Sequence, residues 1–320
     1  MPSNSIHIHA GLDVSKDWVD FFLLNGKNKL QGRRPRQASQ LAELAAELAA
    51  QGCELAVIEA TGGFERPLQA ALEAAAVAVA VVNPKRVRDF ARALGVGAKT
   101  DRIDAQMLAL FGERTQPRPT PALNAAHGRF QQLSRQLAEF VADRARLRTR
   151  LYRIENSFLR NCLEQLIESF NSQIERIESE IERTLEHLPA VGRQVERLQS
   201  APGVGIKTAW TLSAELPELG CVSGREATAL TGLAPWARDS GAWKGRRAIG
   251  GGRARVRKAL YMATLSCVRA DGPLRDFYQR LLQKGKPKKL ALIAVARKLL
   301  VALNAMTRDS SSWTLPQQRT

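Results

Sequence analysis

Hydrophobic positions near the start of the chain change from a strand-like to a helix-like spacing. Apolar residues occupy alternate positions from Ile6 to Leu12, and the apolar run Trp18–Leu24 follows after a short turn, which predicts a β-hairpin. The short runs Cys53–Ala60 and Val77–Asn83 are typical of buried strands, and alanine- and leucine-rich segments with helical spacing lie next to them. A hairpin followed by strand–helix units predicts an α/β domain with a mixed sheet and helices on its faces.

The middle of the chain has a longer helical pattern. Pro117 and Pro121 bracket a linker, and the stretch from Arg129 to Leu188 contains neither glycine nor proline. Apolar residues recur there at three–four spacing, at Leu163, Ile167, Phe170, Ile174, Ile177, Ile181 and Leu188. We expect a coiled-coil-like helix or helical hairpin that acts as an oligomerisation or spacer element.

The last third of the chain is helical again, with glycine-rich turns. Residues 198–216, LQSAPGVGIKTAWTLSAEL, match a helix-hairpin-helix, whose tight turn points backbone N–H groups at a phosphate. Gly203, Gly205 and Lys207 are its candidate nucleic-acid-binding residues, although a glycine turn between two core helices would have the same pattern. A last apolar helix precedes a polar tail.

These patterns divide the chain into four parts. We expect an α/β catalytic domain over residues 1–128 and coiled-coil helices over 129–190. A mainly helical C-terminal domain over 191–310 and a flexible tail over 311–320 complete the division. At 35.2 kDa the chain is long enough for several domains with their own cores.

The charge of the chain predicts a polyanionic partner. Lys and Arg outnumber Asp and Glu by 48 to 31, which gives a formal net charge of +17, so nucleic acid is the expected partner. A membrane surface is the competing partner, but no unbroken apolar run of about eighteen residues supports it. The N-terminal residues have no signal pattern and the four cysteines are widely scattered, so we expect a cytoplasmic protein with reduced thiols and no structural zinc.

Basic residues gather in the C-terminal half. Seven cations and no acid lie between Trp243 and Lys258, together with three consecutive glycines at 250–252 that can approach a phosphate or adopt positive φ. A solvated basic face is the alternative, but it needs neither the glycines nor the flanking Trp236 and Trp243. The full set of candidate nucleic-acid-binding cations is Lys85, Arg86, Arg88, Lys99, Lys207, Arg238, Lys244, Arg246, Arg247, Arg253, Arg255, Arg257 and Lys258.

Four acids of the first domain end predicted strands or open a predicted helix. Asp13 and Glu59 end strands, whereas Asp101 and Asp104 lie in the first turns of a helix that Thr100 can cap. The helix dipole explains Asp101 but explains Asp104 less well. Because strand ends and helix N-termini meet at one edge of an open sheet, the four acids can converge there. Carboxylates without His or Cys suit magnesium or manganese, and two such ions can stabilise the attacking and leaving oxygens of a phosphodiester.

The ordered motifs of the chain resemble a known family. The match rests on GLDVSKD, VIEATGGFERPL, VVNPKRVRDFARA, AKTDRIDAQMLA, APGVGIKTA, TGLAPWARDSG and GRRAIGGGRARVRKALYMATL. In this order, from about Ile8 to Met306, they are similar to the DEDD transposases of the insertion sequence 110 family, which are related to Piv/MooV-type DNA invertases.

The resemblance implies a fold and a reaction. It implies an N-terminal RuvC-like, RNase H-type domain in which Asp13, Glu59, Asp101 and Asp104 bind magnesium. It implies that Ser240, in RDSGAWKG, forms a covalent 5′-phosphoserine link with DNA. Donor and target DNA, a noncoding bridge RNA as guide, homodimers that assemble to tetramers and a nucleoid-associated bacterial location are also implied.

Three other functions compete with recombination. A RuvC-like nuclease would cut branched DNA with the carboxylates alone and would not depend on Ser240. A non-catalytic nucleic-acid-binding protein would use the helix-hairpin-helix and the coiled coil, and would be indifferent to the acids. GLDVSKD also resembles the phosphate-binding turn of actin-like and sugar-kinase folds, but the positive charge and the missing adenosine-binding glycine pair count against that fold.

Overall fold

The structure is a computed structural model that describes residues 8–25, 28–96, 101–120, 125–236, 239–240, 243–244 and 248–314. Within these ranges, the backbone alone is described for Asn28, Lys29, Asp101, Arg102, Trp236, Asp239, Ser240, Trp243 and Lys244. The chain forms two compact units, residues 1–122 and 123–320. The predicted boundaries at 128, 190 and 310 remain predictions.

The described part of the first unit contains five strands and four helices. They are β1 (His9–Val14), β2 (Trp18–Asn25), β3 (Asn28–Pro35), α1 (Ala38–Ala50), β4 (Leu55–Glu59), α2 (Arg66–Ala74), β5 (Ala78–Val82), α3 (Pro84–Ala93) and α4 (Asp101–Thr115). The strands form one sheet in the order β3-β2-β1-β4-β5. β2 is antiparallel to both β1 and β3, whereas β1, β4 and β5 run parallel. The predicted α/β fold with a mixed sheet is confirmed.

Helices cover both faces of the sheet. On one face Leu12 and Ile58 belong to a core that includes Leu44 of α1 and Leu72 of α2. On the other face Val57 belongs to a second core, with Val87 of α3 and with Leu108 and Phe111 of α4. Buried strands with apolar residues on both faces are expected when a parallel sheet is covered on both sides.

The pattern of the sequence does not predict β3. Its residues, NKLQGRRP, contain Leu30 as the single large apolar side chain. β3 pairs with β2 along its whole length, from Trp18 opposite Pro35 to Asn25 opposite Asn28. Because β3 lies at the edge of the sheet, it forms by pairing with β2 and needs no alternating pattern of its own.

The backbone of α4 lies directly against β1. A Cβ atom at Gly11 would lie 2.1 Å from the carbonyl oxygen of Ala105 and 2.3 Å from the amide nitrogen of Ala109. At Gly112, a Cβ atom would lie 2.8 Å from Cγ2 of Val57. Glycine on the strand and glycine on the helix therefore allow α4 to lie close to β1 and β4.

The second unit is mainly helical over its described residues. Its helices are α5 (Ala125–Leu151), α6 (Ser157–Glu186), α7 (Pro189–Gln199), α8 (Ile206–Glu215), α9 (Gly224–Leu230), α10 (Ala254–Cys267), α11 (Pro273–Gln283) and α12 (Lys288–Arg308). Four two-residue strands separate α9 from α10: β6 (Pro235–Trp236), β7 (Asp239–Ser240), β8 (Trp243–Lys244) and β9 (Ala248–Ile249). The predicted helical remainder is confirmed, and the sequence pattern missed these short strands.

The long helices α5 and α6 form a helical hairpin, which is one of the two arrangements predicted for the middle of the chain. The chain reverses at residues 152–156, where the side chain of Asn156 accepts a hydrogen bond from the amide of Leu159 and caps α6. Phe140 and Phe170 pack edge to face across the two helices, with ring centroids 5.4 Å apart. An asparagine cap thus starts the second helix without glycine or proline.

The helix α12 forms the centre of the second unit. Its buried side chains include Val295, Leu299 and Leu303, which share one core with Trp210 of α8. By length and composition α12 could cross a membrane, but half of its apolar window is buried inside the unit and Arg297 interrupts the apolar run. Since core helices of globular proteins pass the same test, α12 gives only weak support for a membrane span.

The described end of the chain packs against the second unit. The amide of Trp313 donates a hydrogen bond of 2.7 Å to Oγ of Ser200, and its ring packs against the helical core. The segment 311–320, predicted to be a flexible tail, is described as far as residue 314.

Replacing Gly11 with alanine should destabilise the first unit strongly. The added methyl group would overlap backbone atoms of α4, which cannot move as a flexible side chain can, so we expect a loss of about 3 kcal/mol or more in unfolding free energy. Gly192→Ala in α7 is the control, because its Cβ would meet no atom closer than 4.0 Å and alanine favours a helix by about 1 kcal/mol. Urea denaturation of both variants measures the effect. Equal stability of Gly11→Ala and wild type would contradict the close packing of α4 on β1.

Candidate active site and nucleic-acid interface

Two of the predicted catalytic acids lie side by side at the carboxyl edge of the sheet. Leu12 of β1 and Ile58 of β4 are partners in the parallel register. Asp13 and Glu59 directly follow these partners, and both are partly buried. The chain crosses from one half of the sheet to the other between these two strands, which is where open α/β sheets place their functional residues.

Asp13 and Glu59 are on the sheet face that α4 covers. Side chains on a strand alternate between the faces, and Gly11 and Val57, two residues before the acids, contact α4. Leu12 and Ile58 point to the opposite core. The two carboxylates are therefore on the same face as α4.

The direction of α4 brings its N-terminus to the same edge. Gly11 lies against Ala105 and Ala109, whereas Gly112, later in the helix, lies near His9, earlier in the strand. The helix therefore runs opposite to β1, and its first turns lie toward the carboxyl end of that strand. Asp104 is partly buried there. The backbone of Asp101 starts α4, and its side chain is outside the description, as is the predicted cap Thr100.

Carboxylate oxygens at this edge suit a divalent cation of the magnesium type. Among the residues whose side chains are described, no three acids, histidines or cysteines lie close enough to form a metal site. Asp101 is not among these residues. Asp13, Glu59 and Asp104 each already interact with another group of the protein. By residue type, the carboxylates of Asp13, Glu59 and Asp104 suit such a cation, and Asp101 is the fourth potential ligand.

Glu65 is a buried acid that sequence reasoning did not select. Its Oε2 accepts hydrogen bonds from the amide and hydroxyl of Thr61, at 3.1 and 2.8 Å, and from the amide of Gly63 at 2.8 Å. Burial opposes its ionisation, but these hydrogen bonds outweigh burial and lower the pKa of Glu65. Glu65 thus fixes the loop that follows Glu59. The sequence signal that could have identified Glu65 is its position as the second acid in VIEATGGFERPL.

The predicted cations of the first unit lie on α3. Lys85, Arg86 and Arg88 are exposed, and the side chain of Asn83 caps this helix at the amide of Lys85. The guanidinium of Arg86 lies over the ring of Phe111, 5.4 Å from its centroid. Lys99 lies outside the described residues.

The predicted helix-hairpin-helix consists of α7, a turn and α8. Gly203 has a φ of +77°, and a Cβ atom there would lie 2.3 Å from the carbonyl oxygen of Ala263 in α10. Packing between helices therefore accounts for this glycine. Gly205 has open space around it and precedes α8, whereas Lys207 forms an ion pair with Glu178 at 2.5 Å.

Several of the predicted C-terminal cations are engaged within the second unit. Arg253 binds Glu218 through two hydrogen bonds of 2.5 and 2.6 Å, and Arg255 binds Glu139 at 2.6 Å. Burial raises the pKa of Glu218, but the bonds and charge of Arg253 outweigh burial, so the pKa is lowered.

Arg257 and the glycine run also have structural contacts. Nη1 of Arg257 donates hydrogen bonds to the carbonyl oxygens of Thr231 and Gly251, at 3.0 and 2.6 Å. A Cβ atom at Gly252 would lie 2.4 Å from the amide of Gly232. Lys258 is exposed and has no ion-pair partner among the described residues. Of the four cations in this stretch whose side chains are described, Lys258 is therefore the one without an ion pair or hydrogen-bond partner among the described residues.

The predicted nucleophile lies in a short two-stranded element. Ser240 of β7 pairs with Trp243 of β8, and Asp239 pairs with Lys244. The side chains of these residues, and that of Trp236, are outside the description. Arg238, Arg246 and Arg247 lie wholly outside the described residues.

The four cysteines are free thiols. Burial raises the pKa of Cys53 and of Cys267 to about 11. Both thiols are therefore protonated at neutral pH, which makes them poor nucleophiles and poor metal ligands.

Two family models match the chain and together span most of it. A transposase model for the DEDD group of IS110 matches residues 10–156, and a model of the transposase IS116/IS110/IS902 family matches residues 195–279. The chain belongs to the IS110 family of transposases. The first unit from residue 10 onward lies in the DEDD model, and the end of α7 together with α8, β7 and α10 lies in the second.

Relatives of this IS110-family transposase include DNA-inverting proteins. The pilin gene-inverting proteins of Moraxella lacunata and Moraxella bovis are 27% and 26% identical, and each alignment covers 79% of the chain and 80% of the relative. The insertion element IS110 protein of Streptomyces coelicolor is 32% identical over 36% of the chain and 29% of its own length. RuvC of T. thermophilus in complex with a Holliday junction substrate covers 36% of the chain at 13% identity, but a TM-score of 0.27 is too low to carry an argument.

Family membership gives the transposase its general activity. The chain is an enzyme that acts on DNA as a transposase or DNA recombinase. This excludes the actin-like and sugar-kinase alternative and the purely DNA-binding alternative.

Glu65→Gln should weaken the first unit in a pH-dependent manner. Because the folded state lowers the pKa of Glu65 below its usual value of 4.5, its carboxylate stabilises the folded protein above that pH. This contribution is lost as the pH falls through the lowered folded pKa. We expect wild type to be more stable than Glu65→Gln at neutral pH, with a difference that shrinks below about pH 4. Thermal unfolding across the pH range measures it, and a difference that grows with acidity would contradict the assignment.

Lys258→Gln and Arg253→Gln should separate binding from folding in the transposase. Lys258→Gln should reduce the salt dependence of DNA binding by about one phosphate contact and leave the unfolding temperature unchanged. Arg253→Gln should lower the unfolding temperature, because it leaves the half-buried Glu218 without its partner. Fluorescence anisotropy at several salt concentrations and thermal unfolding measure the two effects. A lowered unfolding temperature for Lys258→Gln together with a reduced salt dependence and unchanged stability for Arg253→Gln would contradict these roles.

Proposed function

We propose that the transposase cuts and rejoins DNA by transesterification, with magnesium held by Asp13, Glu59, Asp101 and Asp104 and with Ser240 as the nucleophile. The observation that carries this proposal is the meeting of β1, β4 and the N-terminus of α4 at one edge of the sheet. Three separate elements that bring acids to one place are typical of a metal-dependent phosphodiester site.

The acids have a defined task in this mechanism. Asp13 and Glu59 project from adjacent rigid strands, so they would hold a cation in a fixed position relative to the substrate. Asp101 and Asp104, one helical turn apart, would complete the set from α4. Bound magnesium, or manganese, neutralises charge on the phosphate and on the attacking and leaving oxygens.

Ser240 supplies the step that separates recombination from hydrolysis. Its Oγ attacks the phosphorus and loses its proton, the bond from phosphorus to the 3′ oxygen breaks, and the 3′ oxygen leaves as a hydroxyl. The 5′ phosphate stays on the serine. A 3′ hydroxyl of another strand then attacks this ester and releases the serine, so strands are rejoined without ATP.

Cations near the serine and on the helices would hold nucleic acid. Arg238, Lys244, Arg246 and Arg247 adjoin Ser240 in sequence and would stabilise charge on the reacting phosphate. The exposed residues of α3, the start of α8 at Gly205 and Lys258 would contact the backbone of DNA or RNA. The remaining predicted residues make contacts within the second unit and support the fold around these positions: Gly203, Lys207, Arg253, Arg255 and Arg257. Resemblance to the family adds a noncoding bridge RNA as the guide.

The helical hairpin supports an oligomeric recombinase. α5 and α6 extend for 27 and 30 residues, and each carries exposed charged side chains outside its hairpin contact. Long paired helices are suited to association between copies of a chain. We propose a homodimer that assembles to a tetramer on donor and target DNA, located with the bacterial nucleoid in the cytoplasm.

A nuclease that uses the carboxylates alone is the second candidate. The same sheet edge supports it, because hydrolysis of a phosphodiester by metal-activated water needs no serine. The two candidates differ in the fate of the cut strand. Recombination gives a protein–DNA adduct, whereas hydrolysis gives free ends.

Covalent capture of DNA tests the proposed function. The purified transposase is incubated with magnesium, RNA from its own cells and DNA that spans the junction of its insertion sequence, then denatured and analysed by mass spectrometry. We expect DNA attached through a phosphate to residue 240. Ser240→Ala and Asp101→Asn should each reduce the adduct at least about a thousandfold, because each removes a group of the reacting site.

Two controls make the result specific. Ser223→Ala, a helix-capping serine of α9 in the same unit, should keep the adduct at residue 240. Cut DNA without an adduct, unaffected by Ser240→Ala but abolished by Asp101→Asn, would replace recombination with the nuclease reaction.

A further inference from the structure

The face of the sheet that carries Asp13 continues onto β2. In the antiparallel register Gly11 is opposite Phe22 and Asp13 is opposite Asp20. Phe22 packs against Ala105 of α4, so its side chain is on the α4 face. Since strand side chains alternate, Asp20 and Trp18 lie on this face too. A tryptophan therefore lies at the same edge and on the same face as the proposed catalytic acids.

Trp18 is exposed although its backbone is held rigidly. Its side chain and backbone together are 45% exposed, which is unusual for a large aromatic residue in a strand. The amide and hydroxyl of Ser15 donate hydrogen bonds of 2.9 and 3.0 Å to the carbonyl oxygen of Trp18, whose amide donates back to that hydroxyl at 3.1 Å. This tight turn starts two residues after Asp13. The position of Trp18 is thus coupled to the position of Asp13.

An oriented guanidinium lies diagonally across from Trp18 on the same face. Arg33 of β3 is opposite Asp20 and donates three hydrogen bonds to its carboxylate, at 3.0, 3.1 and 2.8 Å. The side chain of Asp20 is 13% exposed, whereas that of Arg33 is 48% exposed. Asp20 therefore holds Arg33 on the α4 face and leaves about half of its surface accessible to an anion.

We propose that Trp18 and Arg33 form a nucleotide-binding subsite for the DNA strand that is cut, in which an unpaired base stacks on Trp18 and a neighbouring phosphate binds Arg33. Indole rings stack on bases without regard to sequence, and a forked guanidinium suits a phosphate. The subsite would fix the register of the strand relative to Asp13. It rests on the proposed function, which supplies a DNA strand at the carboxylates.

A second exposed aromatic residue of this unit provides a matched comparison. Phe64 is 44% exposed and lies in the loop between β4 and α2, the helix that covers the face opposite α4. The guanidinium of Arg36 already covers its ring, at 5.1 Å from the centroid, and Arg36 is itself held by the carbonyl oxygen of Lys16. Phe64 therefore has a partner for its ring within the protein.

An abasic scan tests the stacking. The probe is a fluorescein-labelled single-stranded DNA from the end of the insertion sequence, in versions that each lack one base, with calcium in place of magnesium so that the strand is not cut. For wild type, one abasic position should weaken binding roughly tenfold. Trp18→Ala should bind the intact strand as weakly as wild type binds the strand that lacks this base, and removal of the base should not weaken its binding further. Trp18→Phe and Phe64→Ala should keep the position-specific loss.

Photocrosslinking locates the contact directly. With 5-iodouracil at the position found by the scan, the crosslink should map to the tryptic peptide 17–27, which contains Trp18, and disappear in Trp18→Ala. Arg33→Gln should reduce the salt dependence of binding by about one phosphate contact. A scan with no position-specific loss in wild type, or one unchanged in Trp18→Ala, would overturn the subsite.

The subsite and the proposed function fail in different ways. If Trp18→Ala abolishes the position-specific loss while wild type forms no adduct at Ser240, the subsite stands and the serine chemistry is wrong. If the adduct forms and the scan is flat, the chemistry stands and the subsite is wrong.

Discussion

The backbone contact between α4 and β1 is the constraint on which the candidate site depends. Gly11 allows the helix to lie where any larger residue would overlap Ala105 and Ala109. Because the contact fixes both the distance and the direction of α4, the first turns of the helix are brought to the carboxyl ends of β1 and β4. Asp13, Glu59 and Asp104 thereby come to one edge from three elements. The same helix buries Phe22, and the register of β2 against β1 places Trp18 on that face.

The large positive charge of the chain serves two purposes. Part of it is neutralised inside the second unit, where Arg253 binds Glu218 and Arg255 binds Glu139. Removal of Arg253 would leave the charge of the partly buried Glu218 without its partner, whereas the pair of Arg255 and Glu139 is exposed. Other cations, such as Lys85 and Lys258, are exposed and can attract a polyanion. Net charge identifies the class of partner, but it does not distinguish these two groups of cations.

The two acids of the motif that follows β4 show how similar residues acquire different roles. Glu65 is buried and accepts three hydrogen bonds within its own loop, so it stabilises the backbone there. Glu59 ends the strand and reaches the edge of the sheet. On the neighbouring strand, Asp20 faces Asp13 but is paired with Arg33. Their hydrogen bonds thus give Glu65 a structural role in its loop and Asp20 a structural role in holding Arg33.

The sequence by itself determined the mixed α/β sheet, the positions of Asp13 and Glu59 in the last two residues of their strands, the helix that starts at Asp101 and the family. These features depend on local periodicity and on short motifs, which a single chain segment displays. The tertiary structure decided that β3 forms, that Arg253 is engaged by Glu218, and that Trp18 shares a face with the acids. Such features depend on which strands and side chains pair with one another, because register and packing select among side chains that look alike in the local pattern.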